Sequence, residues 1–276
     1  VAIVVIVIVV GLGVKSILKV FEFIMETISI DINCDVGEGI GNEASIFPYI
    51  SSCNIACGGH TGTMESMREI VLLAKKHKVK LGAHPSYPDP INFGRKSILI
   101  SEGELIQSIQ LQIKNLVLII KAQNCILHHI KPHGALYNDI AKSKQLASVF
   151  LKAIEAYKYA AVLYVPFGSV IGSLAVQKGF KICYEAFMDR NYNDDLSLVD
   201  RLKPNAIIQN SRAVLNHILP MIKNKIVISN SKKSISFNAN TYCIHSDTSN
   251  SSSILLYLYN ELPKHSISIE KCTNTP

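Results

Sequence analysis

The 276 residues are 48% hydrophobic and 18% charged, which excludes a disordered chain and provides enough apolar surface for one large core. The formal charge of +7 comes from 28 Lys and Arg against 21 Asp and Glu, but the basic residues are scattered without an Arg-rich stripe, which argues against nucleic-acid binding. Seven cysteines, an odd number set mostly in apolar runs, read as reduced thiols of a cytoplasmic protein.

In chain order, the first segment is VAIVVIVIVVGLGV, 14 apolar residues ahead of Lys15. It is short for a membrane-spanning helix and lacks the basic start and cleavage site of a signal peptide. Residues 1–24 are therefore expected to be a dispensable or non-native extension first and an uncleaved membrane anchor second, with no stable membrane association expected. GLGVKS at 11–16 matches neither nucleotide-loop spacing. From Ile28 short apolar runs alternate with longer amphipathic ones, the pattern of βα units around a parallel sheet. Strands are expected near 28–34, 54–57, 79–83, 127–131, 161–165, 180–184, 205–208 and 241–245. Helices are expected at 64–77, 102–123, 140–157, 168–178, 211–223 and 250–261. The clearest is 102–123, where Leu105, Ile109, Ile113, Leu116 and Ile120 recur at helical spacing behind a Ser101/Glu104 capping box. No linker or internal repeat appears, so one domain over 25–265 and a tail over 266–276 are expected.

Titratable residues gather where the strands end: NCDVGEG after the first, CGGHTG after the second, AHPSYPD after the third and KPHGALYN after the fourth. That edge carries the active site in a βα barrel and the ligand crevice in an open doubly wound sheet, so it does not choose between them. Strand alternation puts Asp31, Asn33 and Asp35 on one face, directed at water, ligand or metal unless neighbouring cations satisfy them. The same count groups His129, Lys131 and His133 and turns His128 away. His60 and His84 add imidazoles from neighbouring strand ends.

Two chemistries fit this set. Asp35, His60 and His84 could hold a divalent ion. Without a metal, Asp35 or Glu38 would serve as general base, with Lys131 and a histidine facing developing negative charge. Cys53 and Cys57 lie four apart, but no second pair at finger spacing follows, which argues against a structural zinc. Asp189, Arg190, Asp194 and Asp195 share one polar loop, either a solvated turn or a carboxylate-binding loop built on Arg190.

The stretches DINCDVGEG, NIACGGHTG, GAHPSYPD, FGR, HIKPHGALYN, EAFMDRNYNDDLSLVDR and CIHSDT occur in the order found in the LamB/YcsF family, the A subunits of ATP-dependent 5-oxoprolinases. The resemblance runs from about Ile28 to Leu262. It implies a single-domain α/β fold, a distorted (β/α) TIM-like barrel similar to the polysaccharide-deacetylase-like (β/α)7 barrels. It also implies opening of the lactam ring of 5-oxo-L-proline (pyroglutamate) to L-glutamate with ATP hydrolysis, together with partner subunits B and C.

The family's motif positions fall on Asp35, Glu38, His60, His84, Arg95, Lys131, His133, Asp189, Arg190, Asp194, Asp195 and His245. On chemical grounds Asp35, Glu38, Lys131 and His133 are assigned to catalysis. His60, His84, Arg95, His129, Asp189, Arg190, Asp194 and His245 are assigned to substrate binding. ATP is the implied co-substrate, bound unconventionally or by a partner, and a divalent ion would accompany ATP as Mg or sit at Asp35, His60 and His84. Gly59 and Thr63 depart from the family pattern around His60, as does the Ser in CIHSD. Two other readings are a metal-dependent deacetylase or amidase acting alone and a subunit that binds 5-oxoproline without chemistry.

Overall fold

The structure is a computed structural model describing residues 27–271; the expected extension over 1–24 lies outside the described residues. The strands are β1 (Ile28–Val36), β2 (Ser52–Ala56), β3 (Lys80–His84), β4 (Leu127–Ile130), β5 (Val162–Pro166), β6 (Ile182–Phe187), β7 (Ile226–Ile228), β8 (Ser234–Ser236), β9 (Thr241–His245) and β10 (Ile267–Ile269). The helices are α1 (Glu43–Ile46), α2 (Met64–His77), α3 (Glu102–Ala122), α4 (Gly134–Lys142), α5 (Lys144–Ala153), α6 (Val170–Gln177), α7 (Ser211–Asn224) and α8 (Ser251–Glu261). Parallel pairing runs β1-β2-β3-β4-β5-β6-β9, and β9 pairs back onto β1. This closes a seven-stranded (β/α) barrel and removes the open-sheet alternative. Among the described residues no helix is long and apolar enough to cross a membrane.

Closure largely buries both faces of the seven barrel strands. On β1, Ile30, Ile32, Cys34 and Val36 join the apolar core, while Asp31, Asn33 and Asp35 bond to side chains of neighbouring strands. At the amino end of the barrel Asp31 accepts from Ser52 at 2.7 Å and Thr241 at 2.6 Å and pairs with Lys80 at 3.3 Å. These bonds satisfy a carboxylate that would otherwise be costly to bury. On the outer layer α3 buries Leu105, Ile109, Ile113, Leu116 and Ile120, each stabilising the fold by about 2 kcal/mol. Its capping box forms as expected, with Ser101 Oγ accepting from Glu104 N and the Glu104 carboxylate accepting from Ser101 N.

Four expectations are corrected. The helix expected over 140–157 is two helices, α4 and α5, meeting at Ser143, whose extended backbone and side-chain cap on Leu146 N end one and start the other. The strand expected over 205–208 does not form. Pro204 precedes it, and Ile207 makes only an isolated antiparallel bridge to Arg190, so the barrel closes through β9 instead. The stretch expected as a tail from 266 begins with β10, paired to the start of β1. Finally, β4 slips register against β3 between Leu81 and Gly82. That bulge upsets the alternation that turned His128 away, and His128 Nδ1 lies 3.1 Å from His129 Nδ1.

Candidate active site

The carboxyl ends of the strands surround an open cleft of about 1140 Å³, lined by Asp35, Glu38, His84, Lys131, His133 and Glu185 among others. At its floor the Lys131 ammonium, 2% exposed, lies 2.9 Å from Asp35 Oδ1, 2.9 Å from Glu185 Oε1 and 3.1 Å from Cys243 Sγ. The Glu185 contact has the distance of an ion pair but poor direction for a hydrogen bond. Burial disfavours the ammonium, yet the Asp35 and Glu185 carboxylates outweigh it and hold Lys131 well above the usual lysine range. Burial likewise opposes ionisation of Asp35, but His84, whenever it carries a proton on both nitrogens, and the Lys131 ammonium keep its carboxyl well below the usual range. The Cys243 thiol is pushed well up by burial despite Lys131, which makes it a poor nucleophile.

Beside this pair four groups converge. Asp35, Glu38, His84 and His133 each offer one ligand atom, all within 4.8 Å of one another. Glu38 reaches in from the turn after β1, where Gly37 and Gly39 take φ of 74° and 80°, backbone that glycine adopts without strain. His84 ends β3 and His133 precedes α4. Gly134 starts that helix at φ 57°, and a Cβ there would strike the Gly94 backbone. His60 Nε2 sits 3.0 Å from Glu38 Oε1, and the His60 ring stacks on His133 at 3.7 Å. Burial lowers the pKa of both His60 and His133 and neighbouring imidazoles add to the lowering at each, while the Glu38 hydrogen bond offsets part of it at His60.

The remaining expected residues divide. Arg95 and Arg201 line the cleft rim and share Asp247, at 2.6 and 3.0 Å. Arg190 also lines the cleft, with Nη2 donating to Val199 O at 2.6 Å. His245 lines it too, held from behind by buried Asp189, which accepts from the His245 backbone N–H at 3.1 Å and from Thr248. Burial opposes ionisation of Asp189, but His245 and Thr248 bring its carboxyl down to about 2.

His129 is placed away from the cleft. It is fully buried, 2.7 Å from Asn54 Oδ1, stacked on Tyr164 and seated over Gly82, where a Cβ would run into its ring. Asp194 is also away from it, paired on the surface with Lys233 at 2.6 Å and Ser229 at 2.6 Å. His60 touches the cluster through Glu38 and the stacked ring of His133, and the ligand atoms that come within 4.8 Å of one another belong to Asp35, Glu38, His84 and His133, a set that keeps Asp35 and His84 of the expected trio and lacks His60.

Sequence reasoning missed Glu185 and its partner Tyr137, whose hydroxyl donates to Oε2 at 2.7 Å. An acid in the middle of the apolar strand ICYEAF was the available signal. It also missed Gln112, which fills the space beside Gly59 and binds Ser86 N at 3.0 Å. A larger residue at 59 would collide with Gln112, so this departure from the family pattern is matched by its neighbour. Thr63 caps α2 by accepting from Ser66 N.

The LamB/YcsF family model matches residues 30–276. A protein from Shouchella clausii, named as the A subunit of 5-oxoprolinase, is 40% identical over 247 residues, covering 88% of this chain and 98% of that one. Another of that name from Tolumonas auensis is 38% identical over 223 residues, covering 79% and 89%. The crystal structure of a lactam utilization protein from Thermus thermophilus superposes with a TM-score of 0.81 at 31% identity, covering 88% of this chain and all of that one. Barrel, strand-end cluster and relatives over nearly the whole described length agree: the chain belongs to the LamB/YcsF family.

Proposed function

We propose that the chain is the A component of an ATP-dependent 5-oxoprolinase, opening the lactam of 5-oxo-L-proline to L-glutamate together with subunits B and C. The observation that carries this reading is the buried Asp35–Lys131–Glu185 group at the cleft floor, set beside the Glu38, His84 and His133 cluster. The names of the relatives supply the substrate.

A lactam carbonyl is a poor electrophile because the ring nitrogen donates into it. Transfer of a phosphoryl group from ATP to the carbonyl oxygen removes that protection, and water then adds to the carbon. The adduct has two exits. Loss of phosphate regenerates the lactam, whereas breaking the C–N bond, with the electron pair going to nitrogen, gives an acyl phosphate that a second water cleaves to glutamate and phosphate. The site must therefore return a proton to nitrogen. In this proposal the cluster takes that proton from water, Lys131 faces the oxygen that gains charge, and Arg95 with Arg201 meets the phosphoryl group. ATP binds unconventionally here or on a partner, since the chain has no phosphate loop of the G-x-x-x-x-G-K-[ST] kind.

The test is glutamate release from 5-oxoproline by the purified chain alone, by B and C alone, and by all three, each with and without ATP. The reading expects turnover only from all three with ATP. Hydrolysis by this chain alone without ATP, or full turnover by B and C without it, would contradict the reading.

A further inference from the structure

The four groups that meet beside Lys131 pose a hydrogen-bonding problem. His84 Nδ1 lies 2.7 Å from the Lys131 carbonyl oxygen, and His133 Nε2 lies 3.0 Å from the Phe93 carbonyl oxygen. A carbonyl only accepts, so each of those nitrogens carries the ring hydrogen. In the neutral rings the other two nitrogens, His84 Nε2 and His133 Nδ1, are bare lone pairs, and they face one another at 3.0 Å. Asp35 Oδ2 stands 3.4 Å from His84 Nε2, and Glu38 Oε1 stands 3.4 Å from His133 Nδ1 and 3.9 Å from His84 Nε2. Four acceptors thus converge on one point.

The surrounding donors are already used elsewhere. Asn54 and Lys131 both donate to Asp35 Oδ1, leaving Oδ2 turned to the cluster. With its Nε2–H directed at Glu38 Oε1, His60 holds that carboxylate in place from outside. Charge points the same way. Asp35, Glu38 and Glu185 set three carboxylates against the single Lys131 ammonium, a double negative charge that a divalent cation cancels and one added proton does not.

We infer that Asp35, Glu38, His84 and His133 form a binding site for a divalent transition-metal ion of the zinc class. Two imidazole nitrogens with two carboxylate oxygens suit zinc, cobalt or manganese better than calcium, which takes oxygen ligands throughout. Donors at ordinary zinc distances lie about 3.3 Å from one another in a tetrahedron, and the spacings of 3.0, 3.4 and 3.9 Å bracket that value. Each imidazole is oriented by a carbonyl behind it, the arrangement that fixes the ring and tautomer of metal-ligating histidines. A bound ion would supply Lewis acidity and acidify a bound water. The inference concerns the cluster alone and does not depend on which substrate the cleft takes.

The test uses the full chain, stripped with a chelator and titrated with Zn2+ and Co2+, with metal analysis, calorimetry and the visible spectrum of the cobalt form. One ion per chain is expected, with Kd below about 1 μM. His84→Gln and His133→Gln should each weaken binding at least about 100-fold while keeping the wild-type circular dichroism. Cys243→Ser should bind as wild type, and no thiolate-to-cobalt charge-transfer band should appear, which separates this site from the second group of potential ligands, Asp35, Cys243 and His245. Imidazole 15N shifts guard against misfolded variants: zinc should move the His84 Nε2 and His133 Nδ1 resonances of the wild-type chain. Absence of stoichiometric binding, unweakened binding by both glutamine variants, or an imidazolium that persists in the presence of zinc would overturn the inference. Failure of lactam turnover would leave all of these readings as they are.

Discussion

Glu185 and Asp35 each lie 2.9 Å from the Lys131 ammonium, so a single buried cation that follows β4 is shared by carboxylates from β6 and β1, the two strands that flank β9. The arrangement ties the floor of the cleft to the stability of the barrel, because breaking one side strands a buried charge. Glu185→Gln keeps the shape, removes one partner of Lys131 and weakens the acceptor of Tyr137. It should destabilise the fold by about 3 kcal/mol, measured as a lower urea midpoint at unchanged m-value.

Asp189 and Asp194 sit five residues apart in one loop and should behave differently. Asp189 is buried behind His245, and its carboxyl is held down to about 2. Its folded pKa lies below the unfolded one, so its contribution is present above about pH 4 and is lost as pH falls through the folded value. Asp189→Asn should cost about 2 kcal/mol at neutral pH and lower turnover about 10-fold through loosened His245. Asp194→Asn, on the surface with Lys233, should leave turnover within about twofold.

His217 supplies a pH dependence away from the cleft. Burial pushes its pKa down to about 4, so the unfolded chain binds a proton more readily than the folded one. Stability is therefore full above about pH 6.5 and declines as pH falls toward 4, by about 3 kcal/mol in total. His217→Phe should remove that part of the decline, seen as a smaller difference between urea midpoints at pH 7 and pH 4.5 than in the wild type.

The parallel βα sheet was legible in the sequence because βα alternation survives in a fully covered sheet, its closure into a barrel was implied only by the family resemblance, and β1 declared its inward face through Asp31, Asn33 and Asp35. Parity then failed where the backbone departs from it. The slip between Leu81 and Gly82 brings His128 against His129, and no residue in ILHHI signals a bulge. His129 shares its face with Lys131 but lies deeper, under Tyr164, because side chains two apart on a tilted strand occupy successive layers of the interior. Glu38 and His133 could be named but not joined, since their meeting depends on the turns around Gly37 and Gly94. Glu185 was overlooked because a lone acid among Tyr, Ala and Phe has no partner within its own strand.

The most direct measurement of the central claim, that lactam opening is performed on this chain, is glutamate formation by the assembled three-component complex carrying Asp35→Asn. The substitution keeps the size of the side chain and removes the charge that faces Lys131 and His84. With assembly confirmed by gel filtration, turnover should fall by about 100-fold or more. Turnover at the wild-type rate would contradict the claim and place the chemistry on a partner.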